Sequence, residues 1–159
     1  MNIAHLHLIL NHFPLIGSVI GLLILLEGYY FNNSQIKRTA LRVFILSAIV
    51  AAIAFITGDP AEESIKNQVG VNGKLIEVHE QRAIVYLISV AALGLISFIT
   101  LLGDVDRKSF RKPLYITIIG LSVLVIIISQ WMATAGGEIR HPEINKQQNM
   151  GPTEMKSDD

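Results

Sequence analysis

Four long apolar runs separated by polar connections organise the chain, at roughly 11–31, 40–57, 83–102 and 113–135. Each is close to the ~20 residues that a helix rising 1.5 Å per residue needs to cross ~30 Å of hydrocarbon. The second is the shortest, and Arg42 near its start has a stem long enough to snorkel to the surface. The first has no basic region ahead of it and ends in Glu27-Gly28-Tyr29-Tyr30, not at a small-residue cleavage site. It is also too long for a signal-peptide core, so an uncleaved helix is expected. The pattern predicts an all-α integral membrane protein, an antiparallel four-helix transmembrane bundle over residues 1–144. A polar, disordered tail is expected over 145–159.

The connections carry uneven charge. The first holds Lys37, Arg38 and Arg42, and the third holds Arg107, Lys108, Arg111 and Lys112. Positive charge in short loops marks the cytoplasmic side. The second, 58–82, has Asp59, Glu62, Glu63, Glu77 and Glu80 against Lys66, Lys74 and Arg82. It is net acidic and is expected as an outer loop, a cap on the outer side that leaves both termini outside. Tyr29, Tyr30 and Tyr115 then fall near the inner interface and Tyr86 and Trp131 near the outer one, as aromatic belts would. Glu27 is expected to reach toward Lys37, Arg38 or Arg42.

Composition narrows the chemistry. The 159 residues are 51% hydrophobic, with no cysteine and a formal net charge of +0. Mean hydropathy is +0.48, high for a soluble protein. Without cysteine there is no covalent haem attachment through C-x-x-C-H, no all-cysteine iron–sulfur cluster and no disulfide. Without a basic excess there is nothing to neutralise phosphates, which argues against nucleic acid. Phosphate-binding glycine loops and G-x-S-x-G are missing too. No nucleophile is placed beside a base, which argues against a hydrolase.

Up-and-down topology brings the start of the first span, the end of the second, the start of the third and the end of the fourth to one face. All five histidines map there: His5, His7, His12, His79 and His141. Around them fall Thr57, Gly58, Asp59, Glu62, Glu63, Glu80, Arg82, Gly136, Gly137, Glu138 and Arg140. Polar groups at membrane depth are costly and are usually retained for a purpose. His5 and His12 share a helical face if the helix extends back through them, and His7 and Asn11 share a neighbouring one. Alternatively, Pro14 starts or kinks the helix and leaves His5 and His7 on a separate outer segment.

"TGDPAEE" reads as a helix end at Gly58 and a fresh start, with Asp59 as N-cap, Pro60 at the first helical position and Glu62 completing a capping box. That leaves Glu63 the freer carboxylate. Asn72-Gly73 marks a turn, after which the third helix can begin as early as Leu75, putting His79, Ala83 and Tyr86 on one face. Gly136-Gly137 is expected to end the fourth helix as a C-cap, letting His141 fold back over the bundle mouth. Gly17-x-x-x-Gly21 reads as a small-residue packing face.

"NHFPLIG", "TGDPAEE", "VHEQRA" and "GGEIRHPE", in that order, resemble an uncharacterised family of predicted four-helix bacterial membrane proteins, and look closest to its Bacteroidetes-type members. The resemblance covers about residues 5–144. It implies that His12, His79 and His141 sit at positions where relatives share histidines. Some relatives are joined to Rieske-type iron–sulfur domains, which implies respiratory electron transfer; this sequence lacks such a domain.

Three readings of the polar end follow. In the first, a non-covalent b-type haem sits between helices with His12 and His79 as axial ligands, or with His141 replacing one of them. His7 or Arg82 would then meet the propionates. Electrons would pass between a quinol and a periplasmic carrier or respiratory complex, with Glu63 or Glu80 transferring protons. In the second, His12, His79, His141 and Glu63 bind Zn, Cu or Fe without haem. In the third, the chain is a structural or assembly subunit, its partners the lipid bilayer and a larger complex. Oligomeric state, a homo-oligomer included, stays open.

Overall fold

The computed structural model describes residues 3–63, 73–103 and 108–140. They form α1 (Ile3–Leu10), α2 (Phe13–Tyr30), α3 (Ser34–Ile56), α4 (Gly58–Glu63), α5 (Gly73–Leu102) and α6 (Lys108–Arg140). Four of the helical stretches are long and apolar enough to cross a membrane, at 26, 23, 30 and 28 residues. They suggest a multi-pass membrane protein.

Local chemistry sets the boundaries. Pro14 has no N–H and disfavours helical geometry in the residue before it, so the chain turns at Asn11-His12 and α2 starts with Pro14 in its first turn. Hydrogen bonds from Asn11 N to the His7 carbonyl and from Ile16 N to the His12 carbonyl bracket that turn. At the other end of α2, Asn32 takes φ 49°, a left-handed conformation that asparagine tolerates better than most residues. Asn33 then caps α3, its Oδ1 accepting from Gln35 N at 2.9 Å and Ile36 N at 3.3 Å.

The long helices pack antiparallel in a ring: α2 on α3, α3 on α5, α5 on α6, with a thinner seam from α6 back to α2. α1 packs chiefly on α4 and the end of α3. Glycines allow the closest approaches. A Cβ on Gly21 would stand 2.6 Å from Phe44 Cε1, one on Gly28 would stand 2.8 Å from the Lys37 backbone nitrogen, and one on Gly94 would stand 2.5 Å from Ala48 Cβ. Phe44, Leu25, Leu41, Val90, Leu93, Ile118 and Val125 fill the centre.

The side chains are distributed as a lipid-facing bundle needs. Bulky residues such as Leu23, Ile88 and Ile127 are more than 60% exposed, an apolar exterior that water would not tolerate over so wide a surface. The buried polar residues, among those described, are five serines. Four of them donate to carbonyls of their own helix: Ser18 to Pro14, Ser47 to Val43, Ser122 to Ile119 and Ser129 to Ile126. Each hydroxyl is thereby satisfied while staying small enough for helices to pack closely.

Several boundaries differ from those expected. Residues 73–82 are the first turns of α5 and 58–63 are α4, so most of the expected outer loop 58–82 that is described is helical. Gly58 opens α4 instead of ending α3 with a left-handed turn, because Thr57 already caps α3 through its own backbone. Gly136 and Gly137 lie inside α6, which continues to Arg140, so the expected C-cap is not formed there. Tyr86 is no belt residue: it is 6% exposed and faces inward. His141 and the tail 145–159 lie outside the described residues.

Candidate ligand-binding site

The end of the bundle that gathers α1, the C-terminal end of α3, the start of α5 and the end of α6 encloses a cavity of about 410 Å³. This is within the ~300–1,000 Å³ range of small-molecule sites. Its wall is largely Leu, Ala, Met, Phe, Pro and Ile, interrupted by His7, Asn11, His12, His79, Tyr86 and Ser129. No Asp, Glu, Lys or Arg lines it among the described residues.

His7 is positioned by a helix end. The last carbonyls of a helix have no intrahelical amide to accept from, and the Ala54 carbonyl, two residues from the end of α3, takes His7 Nδ1 at 2.9 Å. Thr57 Oγ1 donates to the same carbonyl at 2.9 Å. The imidazole also packs over Gly58, where a Cβ would stand 3.6 Å from its Cε1. A carbonyl only accepts, so Nδ1 carries the hydrogen and Nε2 holds the lone pair.

His79 is held from the other side. The ring lies beside the Met132 backbone carbonyl, and its Nδ1 is buried with no hydrogen-bond partner. Gly136 makes room for the ring, since a Cβ there would stand 3.1 Å from His79 Cε1 and 3.3 Å from Nδ1. One turn along, Arg82 Nη1 donates to the Trp131 carbonyl at 2.8 Å, with its guanidinium 4.7 Å from the centre of that indole ring. Because His79, Ala83, Tyr86 and Leu87 recur at helical spacing, the same face of α5 brings Tyr86 into the cavity.

Four buried side-chain atoms lack a hydrogen-bond partner among those described: Asn11 Oδ1, His79 Nδ1, Tyr86 OH and Ser97 Oγ. The first three belong to residues lining this one cavity. The three atoms are themselves closed off from the open space of the cavity, and each unmade bond in such a setting costs about 1–3 kcal/mol.

Of the residues expected at this site, His7, His12 and His79 line the cavity. His12 is the exposed N-cap of α2 and makes no side-chain capping bond. His5 is exposed, and the cavity wall does not include it. Glu63 and Glu80 are both exposed and stand outside the wall. Arg82 is engaged with Trp131. No group of three His, Asp or Glu close enough to hold a metal ion occurs among the described residues. Asn11 and Tyr86 were not expected as site residues, although the shared faces of His7 with Asn11 and of His79 with Tyr86 were readable.

Fold and cavity together define a class: a helical bundle with four candidate membrane spans and a ligand-sized, uncharged cavity at one end. Comparison with protein-family models, with curated proteins and with solved structures returns no match.

Proposed function

We propose that this chain is a multi-pass protein of the bacterial inner membrane that takes part in electron transfer, and that the cavity holds the small molecule it works with. The observation that carries the reading is a ligand-sized, mostly apolar cavity with His7, His12 and His79 on its wall, at one end of four helices long and apolar enough to cross a membrane. Polar atoms retained in such a place are expected to serve a ligand. The orientation rests on charge. Lys37 reaches 5.2 Å from the Tyr29 ring and 5.5 Å from the Tyr115 ring, so the basic starts of α3 and α6 share the end opposite the cavity. By the positive-inside rule that end is cytoplasmic, and the cavity opens toward the periplasm with both termini outside.

A specific observation favours b-type haem as a second reading of the occupant. Haem iron takes two axial nitrogens, and His7 has its Nδ1 held by a backbone carbonyl, the outer-shell arrangement that orients ligating imidazoles, with His79 lining the same cavity. His12 stands at the rim as an alternative axial ligand. In either reading a quinol is the electron source and a periplasmic carrier the acceptor.

The test is an oxidised and dithionite-reduced absorption spectrum of the detergent-purified protein, with metal analysis and solvent extraction of the same sample. A Soret band that shifts on reduction makes the occupant haem. A colourless protein that releases an organic molecule, in an amount reduced by the cavity-filling Ala83→Leu, supports a non-haem ligand. No bound molecule of either kind, with binding of every added redox ring unaffected by Ala83→Leu, would overturn the site.

A further inference from the structure

Every residue on the cavity wall belongs to one of the four stretches long and apolar enough to cross a membrane. In a bundle that crosses a bilayer by these stretches, acyl chains surround such a depth in place of bulk water. The ring of long helices is closed least tightly where α6 meets α2, and the cavity lies across that seam, lined by Leu15 of α2 and by Ala133 and Gly137 of α6. Ala133 is exposed, and a Cβ on Gly137 would meet nothing within 4 Å, so α6 leaves room unfilled there. Leu8 and Phe55 line the cavity while being 55% and 37% exposed, which carries its wall on into the apolar exterior.

The open space meets little that is polar. Asn11 Oδ1, His79 Nδ1 and Tyr86 OH are closed off from it, His7 Nδ1 is taken up by the Ala54 carbonyl at 2.9 Å, and Ser129 Oγ donates to the Ile126 carbonyl at 2.7 Å. With no Asp, Glu, Lys or Arg on the wall among the described residues, an ionised group would enter without a counter-charge. Water settles in such a space only where it finds about two to four polar partners, whereas an apolar cavity of about 150 Å³ stays dry and takes up a small hydrocarbon. This one, at about 410 Å³, is larger still, and left empty it would deprive Leu15, Leu87 and Met132 of contacts on one side.

We propose that the cavity takes up a hydrocarbon chain from the membrane, which enters sideways between α6 and α2 and lies against Leu15, Leu87 and Met132. The assignment rests on the reading of the cavity as a ligand site and names the part of a ligand that occupies it. An acyl tail of a bilayer lipid and the tail of a separate, membrane-dissolved molecule offer the same methylenes to this wall, and the experiment separates the two sources.

The full-length protein is reconstituted into phosphatidylcholine vesicles with one of two photoreactive chains: a phosphatidylcholine whose acyl tail carries a diazirine, or a free alkyl diazirine. After illumination, adducts are mapped by peptide mass spectrometry. Ala51 and Leu87, the innermost wall residues of α3 and α5, report the cavity, while Leu23 and Ile88, 61% and 65% exposed, report the outer surface. Adducts at both pairs are expected. Labelling of the inner pair by the lipid-borne chain makes the occupant a bilayer lipid, and labelling by the free chain alone makes it a separate molecule. Gly137→Leu extends a side chain into unfilled room and is expected to reduce the inner adducts several-fold while leaving the outer ones unchanged. Adducts confined to Leu23 and Ile88 with both chains would overturn the proposal, as would inner adducts indifferent to a folded Gly137→Leu. If an added benzoquinol then still binds in a manner sensitive to Ala83→Leu, the cavity stands as a site for another ligand; if it does not, the ligand-site reading falls as well. The comparison of inner with outer adducts needs no variant, so it decides the matter even if Gly137→Leu fails to fold.

Discussion

Two adjacent glycines of α6 behave as opposites. The missing Cβ of Gly136 is what lets the His79 ring lie against α6, whereas a Cβ on Gly137 would meet nothing within 4 Å. Glycine in a helix interior costs about 0.5–1 kcal/mol relative to alanine. Gly137→Ala is therefore expected to raise stability by about that amount, read as a higher midpoint in detergent-solubilised thermal unfolding. Gly136→Ala is expected to gain nothing, because its methyl must displace the His79 ring. Equal stabilisation by the two substitutions would show that His79 is not seated there. The sequence shows a Gly-Gly pair and invites a helix terminus; only the packing of an imidazole 57 positions earlier separates their roles.

The α2–α3 seam joins two apolar helices by close fit, the contribution that decides packing wherever helices lie in lipid. Gly17 faces Ser47, Gly21 faces Phe44 and Gly28 faces the backbone of Lys37. The Gly17 and Gly21 part of this stripe was readable from its i, i+4 spacing, since helical geometry dictates which residues share a face. Gly21→Val would drive a branched side chain into the Phe44 ring, which is fully buried and has no room to retreat. A loss of about 1–3 kcal/mol is expected, measured by unfolding in mixed detergent micelles. At the exposed start of α3, Asn33→Ala is expected to cost about 1 kcal/mol by releasing two capped amides. The start of α5 was less readable: residues 73–82 mix charged and apolar positions, and a polar face extending a span has the same composition as a loop.

For the molecule as a whole, hydropathy and up-and-down order were enough to foresee four long helices and the gathering of His7, His12 and His79 at one end. The cavity was not foreseeable in the same way. It depends on Asn11 and Tyr86, single polar residues whose meaning lies in the bonds they fail to make, and on glycines whose role is the space they leave. The carboxylates were easy to read but stand outside its wall. A cysteine-accessibility map follows from the proposed orientation: in whole cells, Cys at Ser34 should be protected from an impermeant reagent and Cys at Glu63 labelled. The reverse pattern would turn the cavity to the cytoplasm.

The bond between His7 and the Ala54 carbonyl spans 47 residues, and the His79 ring packs against Gly136, 57 positions further along. The ring of His7 has nothing to hold it until the end of α3 has been made. Tyr86 and His79 wait in turn for α6. The cavity is consequently closed only once α6 has followed α5, and a chain interrupted before Met132 would carry His7, His12 and His79 without the wall that α6 supplies.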